Sequence, residues 1–195
     1  MLVGIVGKSG AGKSTLVRKM KELNQNIVHI DIDKIGQDIL KNEEVVNNIV
    51  RIVGNSEVIN NGVLDRKKVG DIIFNDKEKY EAYFDYTEDI ENEIIDNIIK
   101  ENKDKIVVLD WAVLFKTKYY NLLDYKIFVN TSDSVRKNRV IKRDNISEEY
   151  FDLREMMYNN YDISNMDFVI DGNNYSDEDV KKILGELKWR KRICL

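Results

Sequence analysis

The sequence predicts an α/β fold, a parallel sheet flanked by helices on both faces, and three observations carry that prediction. Short apolar runs alternate with helically spaced segments along the chain, the pattern left by strand–helix crossovers. The first run ends in glycines and opens directly into a helix. A stretch with no buried-strand signal, residues 34 to 103, separates the second strand from the third and reads as a helical insertion on the sheet.

Leu2 to Val6 is a short apolar run of the kind buried on both faces of a parallel sheet. Lys13 to Leu23 follows with helical spacing, placing Leu16, Met20 and Leu23 on one side. Ile27 to Ile30 is the second strand and closes at Asp31. Residues 34 to 53 read as helical, with Ile35, Ile39, Val45, Val46, Ile49 and Val53 apolar, and Asn60-Asn61-Gly62 reads as a turn. Arg66 to Phe74 and Lys77 to Lys100 are two further helices, the second long and highly charged. Ile106 to Leu109 and Tyr125 to Val129 are strands, residues 132 to 142 and 147 to 158 helical, Phe168 to Ile170 a last strand and Asp177 to Leu187 a closing helix.

A chain of 195 residues holds one well-buried core and is short for two independent domains. Its 31 basic and 35 acidic residues are interleaved and sum to −4, so no general attraction to nucleic acid or to an anionic membrane is expected. The cluster Lys188-Trp189-Arg190-Lys191-Arg192 reads as a solvated tail. Cys194 is the one cysteine, which rules out an internal disulfide and a thiolate zinc site and fits a reducing cytoplasm. The apolar run at the N-terminus is too short for a signal peptide or a membrane span of about 20 residues. Proline is absent.

Gly7-Lys8-Ser9-Gly10-Ala11-Gly12-Lys13-Ser14 fits G-x-x-x-x-G-K-[ST] in full, between a predicted strand and a predicted helix. Glycines let backbone N–H groups turn inward around a β-phosphate at the helix N-terminus. Lys13 brings a point charge to the β- and γ-phosphates, and the Ser14 hydroxyl can ligate Mg²⁺. The run Gly7, Ser9, Gly10, Ala11, Gly12, Lys13, Ser14 and Thr15 is therefore the expected ATP site. It implies a P-loop NTPase core. No base-reading N-K-x-D is present, since Asn102-Lys103-Asp104 lacks the spacer.

Asp31-Ile32-Asp33 follows the second strand, at the sheet edge that faces the ligand crevice. Read as extended chain, the two carboxylates point the same way, and one could accept a hydroxyl proton while the other stands near the metal; both could instead cap the helix that follows. Asp110 ends the third predicted buried strand, where it could hold Mg²⁺, orient an acceptor or cap the strand. Arg136, Arg139, Lys142 and Arg143 crowd one helix, with Arg139 and Arg143 on one face. They are either a solvated face or a mobile segment that neutralises transferring phosphate. His29, the one histidine, reads as a satisfied, partly buried core residue, and Tyr80, Tyr83, Phe84 and Tyr86 read as packing.

Over about residues 1 to 185 these motifs resemble the bacterial dephospho-coenzyme A kinase family. The resemblance rests on the phosphate loop, Asp31-Ile32-Asp33, Leu64-Asp65-Arg66-Lys67-Lys68-Val69-Gly70 with Ile73-Phe74-Asn75-Asp76, Val107-Val108-Leu109-Asp110 with Leu114-Phe115, Arg139 with Lys142-Arg143-Asp144, and Asp167-Phe168-Val169-Ile170-Asp171. It implies a core (1–33, 104–135 and 165–195), a helical acceptor-binding insertion (about 34–103) and a lid (about 136–164). The implied reaction moves the γ-phosphoryl group of ATP to the ribose 3′-hydroxyl of dephospho-coenzyme A, with Asp33 as general base, Arg66 toward the acceptor, and Arg139 and Arg143 toward ATP; Asp31 and Asp110, from their strand-end positions, are the further candidates for binding substrate. The chain departs from the family where Glu88-Asp89 stands for His-Pro, where Lys116 stands for Glu, and in the acidic lid segment Tyr158-Asn159-Asn160-Tyr161-Asp162. Those departures keep two alternatives open: a kinase for another acceptor, such as a nucleoside or nucleotide, and an ATP-binding regulatory relative without turnover. A monomer or small homo-oligomer is expected.

Overall fold

The computed structural model describes residues 1–60, 62–155 and 162–193. Asn61 of the expected turn, lid residues 156–161 and Cys194 lie outside them, as do the side chains of Arg190, Lys191 and Arg192 in the basic cluster.

In chain order the elements are β1 (Leu2–Val6), α1 (Lys13–Leu23), β2 (Ile27–Asp31), α2 (Ile32–Ile39), α3 (Glu43–Val53), β3 (Ile59–Asn60), β4 (Val63–Leu64), α4 (Arg66–Ile73), α5 (Lys77–Glu101), β5 (Ile106–Asp110), β6 (Tyr125–Asn130), α6 (Asp133–Asp144), α7 (Glu148–Glu155), β7 (Phe168–Asp171) and α8 (Asp177–Ile193). Short 3₁₀ turns connect several of them. Two compact units result, one of Met1–Asp31 with Asn102–Leu195 and one of Ile32–Glu101.

The first unit is built on a five-stranded sheet in the order β2-β5-β1-β6-β7, parallel at every pairing. Its central strands carry apolar residues without alternation because both faces are covered. Val3 and Ile5 of β1, Val108 of β5 and Ile127 of β6 meet Leu16, Val17 and Met20 of α1 and Val180, Ile183 and Leu187 of α8 in one buried cluster. Each such side chain contributes roughly 1.5–3 kcal/mol when fully buried. That packing fixes α1 against β1, and so fixes the loop between them.

The second unit is helical with one small hairpin, β3 paired antiparallel to β4. Residues 34 to 53, read as one helical stretch, form two helices. The break has a local cause: Asn42 takes an extended conformation, and its Oδ1 accepts from the N–H groups of Glu44 (2.9 Å) and Val45 (3.3 Å), a side-chain cap that starts α3 afresh. Asp65 caps α4 in the same way, over Lys67 and Lys68. The long α5 packs against α2, α3 and α4, and Tyr80, Tyr83, Phe84 and Tyr86 join Ile49, Val53, Val58 and Val69 in this unit's apolar core. Tyr80 and Phe84 have ring centroids 4.4 Å apart, so the aromatic set packs, as expected. No helix among the described residues is long and apolar enough to cross a membrane.

Candidate active site

The loop between β1 and α1 has the conformation its glycines predict. Gly10 and Gly12 sit at φ +77° and +100°, where L side chains are strained. A Cβ on Gly10 would also come within 2.9 Å of the Arg136 carbonyl oxygen, so the turn is held close against α6. Gly12 is the N-cap of α1 and supplies no side-chain cap, which leaves the first N–H groups of the helix for an anionic partner.

At the foot of the loop three predicted residues meet. Ser14 Oγ donates to Asp110 Oδ2 at 2.6 Å, and Lys13 Nζ stands 3.8 Å from Asp110 Oδ1. Lys13 is only 8% and Asp110 4% exposed; two charges can be buried this deeply because each partners the other. His29 is partly buried as read, and its partner is this same carboxylate, Nε2 lying 3.3 Å from Asp110 Oδ2. Burial works against the charge on Asp110, but the His29 hydrogen bond, the Lys13 ammonium and the Ser14 hydroxyl outweigh it and hold the carboxyl below its ordinary value.

The arginines of α6 face the loop. Arg139 donates to the carbonyl oxygens of Gly10 (3.3 Å) and Gly172 (3.3 Å), and Arg143 Nη2 lies 3.4 Å from Ser9 Oγ. Sequence reasoning undervalued the third of the set. Arg136 is 1% exposed; it donates to the Ser9 carbonyl at 3.0 Å, to Glu155 at 2.7 and 3.1 Å and to Asp133 at 2.6 Å. Lys8 Nζ reaches Glu155 at 3.6 Å. Arg136 therefore braces the phosphate loop to α6 and α7. Only its spacing of four from the apolar, buried Val140 hinted at an inward face, and Asp133 three residues before it disguised it as a surface pair.

The geometry read for Asp31 and Asp33 needs correction. Asp31 ends β2, but Ile32 already begins α2, so Asp33 lies in the first turn of a helix and the two carboxylates do not share an extended face. Asp33 is exposed and belongs to the second unit with Arg66, which starts α4 and is also exposed. Around them the same unit gathers Glu88, Glu91 and Tyr83. Glu91 packs on α2: a Cβ at Gly36 would lie 2.9 Å from its Oε1. Burial, then the negative charges of Asp33 and Glu88, push the Glu91 carboxyl up to about 7. Burial raises Tyr83, with the Arg66 charge opposing and Glu91 adding. Glu91 was not singled out in the sequence, where it is one acid among many on α5. Thr15 and Lys116 are exposed.

Residues 1–178 match the family model described as dephospho-CoA kinase. The chain belongs to that family. Among curated relatives, dephospho-CoA kinase of Fusobacterium nucleatum subsp. nucleatum is 33% identical over 190 residues, covering 94% of this chain and 95% of the relative. That of Aquifex aeolicus is 31% identical over 192 residues, covering 95% and 96%. The solved dephospho-CoA kinase from Campylobacter jejuni has the same fold, with a TM-score of 0.64 at 23% identity over 95% of this chain and 96% of that one.

Proposed function

We propose that the protein is an ATP-dependent kinase that phosphorylates the ribose 3′-hydroxyl of dephospho-coenzyme A, giving coenzyme A and ADP. The observation that carries this reading is the gathering of Lys13, Ser14 and Asp110 beneath a glycine loop with an uncapped helix end, in a chain of the dephospho-CoA kinase family. The loop N–H groups and Lys13 hold the triphosphate and offset the charge that builds on the β,γ-bridging oxygen. Asp33 accepts the hydroxyl proton as the acceptor oxygen bonds to the γ-phosphorus, and the bridging P–O bond breaks with its electron pair leaving on ADP. Arg66 binds the acceptor, while Asp31 and Asp110 order the acceptor side of the loop. Arg139 and Arg143, in the lid division proposed for about 136–164, turn from loop carbonyls and Ser9 to phosphate oxygens.

Mg²⁺ fits this site, because Ser14 Oγ and Asp110 Oδ2 present hard oxygen donors 2.6 Å apart. Held by Ser14 and Asp110, it would supply positive charge that offsets the charge of the triphosphate. A cytoplasmic monomer or small homo-oligomer acting on a small molecule fits a chain with one cysteine and interleaved charge.

The test is ADP release with ATP and Mg²⁺, with and without dephospho-coenzyme A. Strong stimulation with coenzyme A as product is expected, with nucleotide affinity lost in Lys13→Ala and transfer, but not ATP binding, lost in Asp33→Asn. ATP binding without acceptor-dependent turnover would overturn the reading and favour another acceptor or a regulatory relative. Wild-type transfer in Asp33→Asn would remove Asp33 as the base.

A further inference from the structure

At the sheet edge beneath the phosphate loop, Asp31 and Asp110 are joined by His29, a donor that ATP-dependent transfer does not require. β2 and β5 pair in parallel with Asp31 opposite Asp110, and residues directly opposite in a ladder point to the same face. His29 lies two residues before Asp31 on the same strand and so shares that face too. The His29 ring nitrogen and one carboxylate oxygen from each of Asp31 and Asp110 all lie within 4.8 Å of one another. The three belong to adjacent strands of one sheet in the first unit.

The spacing suits an ion. Two ligands each about 2.1 Å from a common metal stand about 3.0 Å apart at a right angle and about 3.4 Å apart at the tetrahedral angle. His29 Nε2 and Asp110 Oδ2 are already 3.3 Å apart. Asp110 is 4% and the His29 side chain 19% exposed, so little water need be displaced and little side-chain freedom lost. A metal between these atoms would replace the His29–Asp110 hydrogen bond, taking Nε2 as a neutral ligand and leaving the ring proton on Nδ1. Lys13 stands at the other Asp110 oxygen, Oδ1, and Ser14 Oγ donates to Oδ2 itself, so the ion would take the second lone pair of Oδ2 and meet the opposing charge of Lys13.

Donor type decides which ion. An imidazole nitrogen adds strength for Zn²⁺, Co²⁺ and their neighbours, whereas Mg²⁺ prefers oxygen alone and keeps most of its water. We propose that His29, Asp31 and Asp110 form a divalent transition-metal site, taking Zn²⁺ or Co²⁺ in preference to Mg²⁺, that fills in the absence of nucleotide. The site depends on neither the acceptor assignment nor turnover. Its ion shares Asp110 with the foot of the phosphate loop, so it provides a route by which transition metals alter nucleotide binding.

His29 is the one histidine in the chain, which makes the test direct. The nucleotide-free, ¹⁵N-labelled full chain, carrying Cys194→Ser to remove the one thiol, is titrated with Zn²⁺ while the imidazole nitrogens are followed by long-range ¹H–¹⁵N correlation. The expected result is a shift of Nε2 that saturates at one equivalent with the Nδ1–H tautomer fixed, weakened about tenfold or more by Asp31→Asn, and not reproduced by Mg²⁺ at the same concentration. An imidazole that stays free to titrate with one equivalent of Zn²⁺ present would overturn the proposal. So would Zn²⁺ affinity unchanged in Asp31→Asn, or an equal response to Mg²⁺.

Discussion

Replacing Glu91 by Gln should stabilise the protein above neutral pH and change little in mild acid. The folded chain holds the Glu91 proton up to about pH 7, against an ordinary value of 4.5, so the folded state binds this proton more tightly than the unfolded state. The favourable contribution of that tight proton is complete below pH 4.5 and is lost as pH rises through about 7. Each pH unit between the two values is worth about 1.4 kcal/mol, which caps the cost of the ionised carboxylate at ~3 kcal/mol. Water reaching a half-buried group trims that ceiling, and a gain of about 1–3 kcal/mol is the reasonable range for the neutral, isosteric amide. Urea unfolding followed by far-ultraviolet circular dichroism, for both proteins across this pH range, measures it. The difference between variant and wild type should open with a midpoint between the two values and level off above neutral. A difference independent of pH would refute the reasoning, since it would mean the carboxyl titrates alike in folded and unfolded chains.

Three further perturbations check other parts of the structure. Arg136→Met should cost about 2–4 kcal/mol in chemical denaturation, because it leaves the largely buried Glu155 with only the longer Lys8 contact at 3.6 Å, and it should weaken ATP binding through the loosened Ser9 carbonyl. Asn42→Ala should cost about 1 kcal/mol by removing the cap of α3, while Asn42→Asp should stay within a few tenths. If the anionic acceptor binds beside Asp33, its charge should raise Glu91 further and draw in a proton near pH 7; calorimetry in buffers of different ionisation enthalpy would show uptake in wild type and less in Glu91→Gln.

What the sequence made legible was local. The phosphate loop is one contiguous spacing, its flanking strand and helix are short-range patterns, and the apolar strands β1, β5 and β6 are buried on both faces and so carry no ambiguous alternation. Asp110 could be placed at a strand end for the same reason. Asp31 and Asp33 show where such reasoning stops: a two-residue spacing has opposite meanings in a strand and in a helix, and the switch falls between them, at Ile32. Asn42 ended one helix and began another through a side-chain cap whose residue type is common in loops. Arg136 and Glu91 were illegible because their character comes from distant partners. Arg136 owes its burial to Ser9 and Glu155, 127 and 19 residues away, and Glu91 owes its held proton to α2, more than fifty residues before it in the chain.

The buried Asp110 and the half-buried Glu91 behave in opposite ways, and the contrast follows from what surrounds each. Asp110 meets a lysine, a hydroxyl donor and an imidazole, and stays ionised despite its burial. Glu91 meets two further carboxyl groups, Asp33 and Glu88, and keeps its proton to about pH 7. A kinase needs a fixed negative charge where cations must be held beside the triphosphate, so the arrangement at Asp110 suits the phosphate loop. If the acceptor's phosphates bind beside Arg66, as proposed, the opposite arrangement suits them: a protonated Glu91 removes one opposing negative charge and leaves Arg66 with less to offset. Glu88 adds a charge there but also helps hold the Glu91 proton. The carboxylate that looks most hostile to an anionic substrate is thus partly offset by the proton it helps its neighbour to hold.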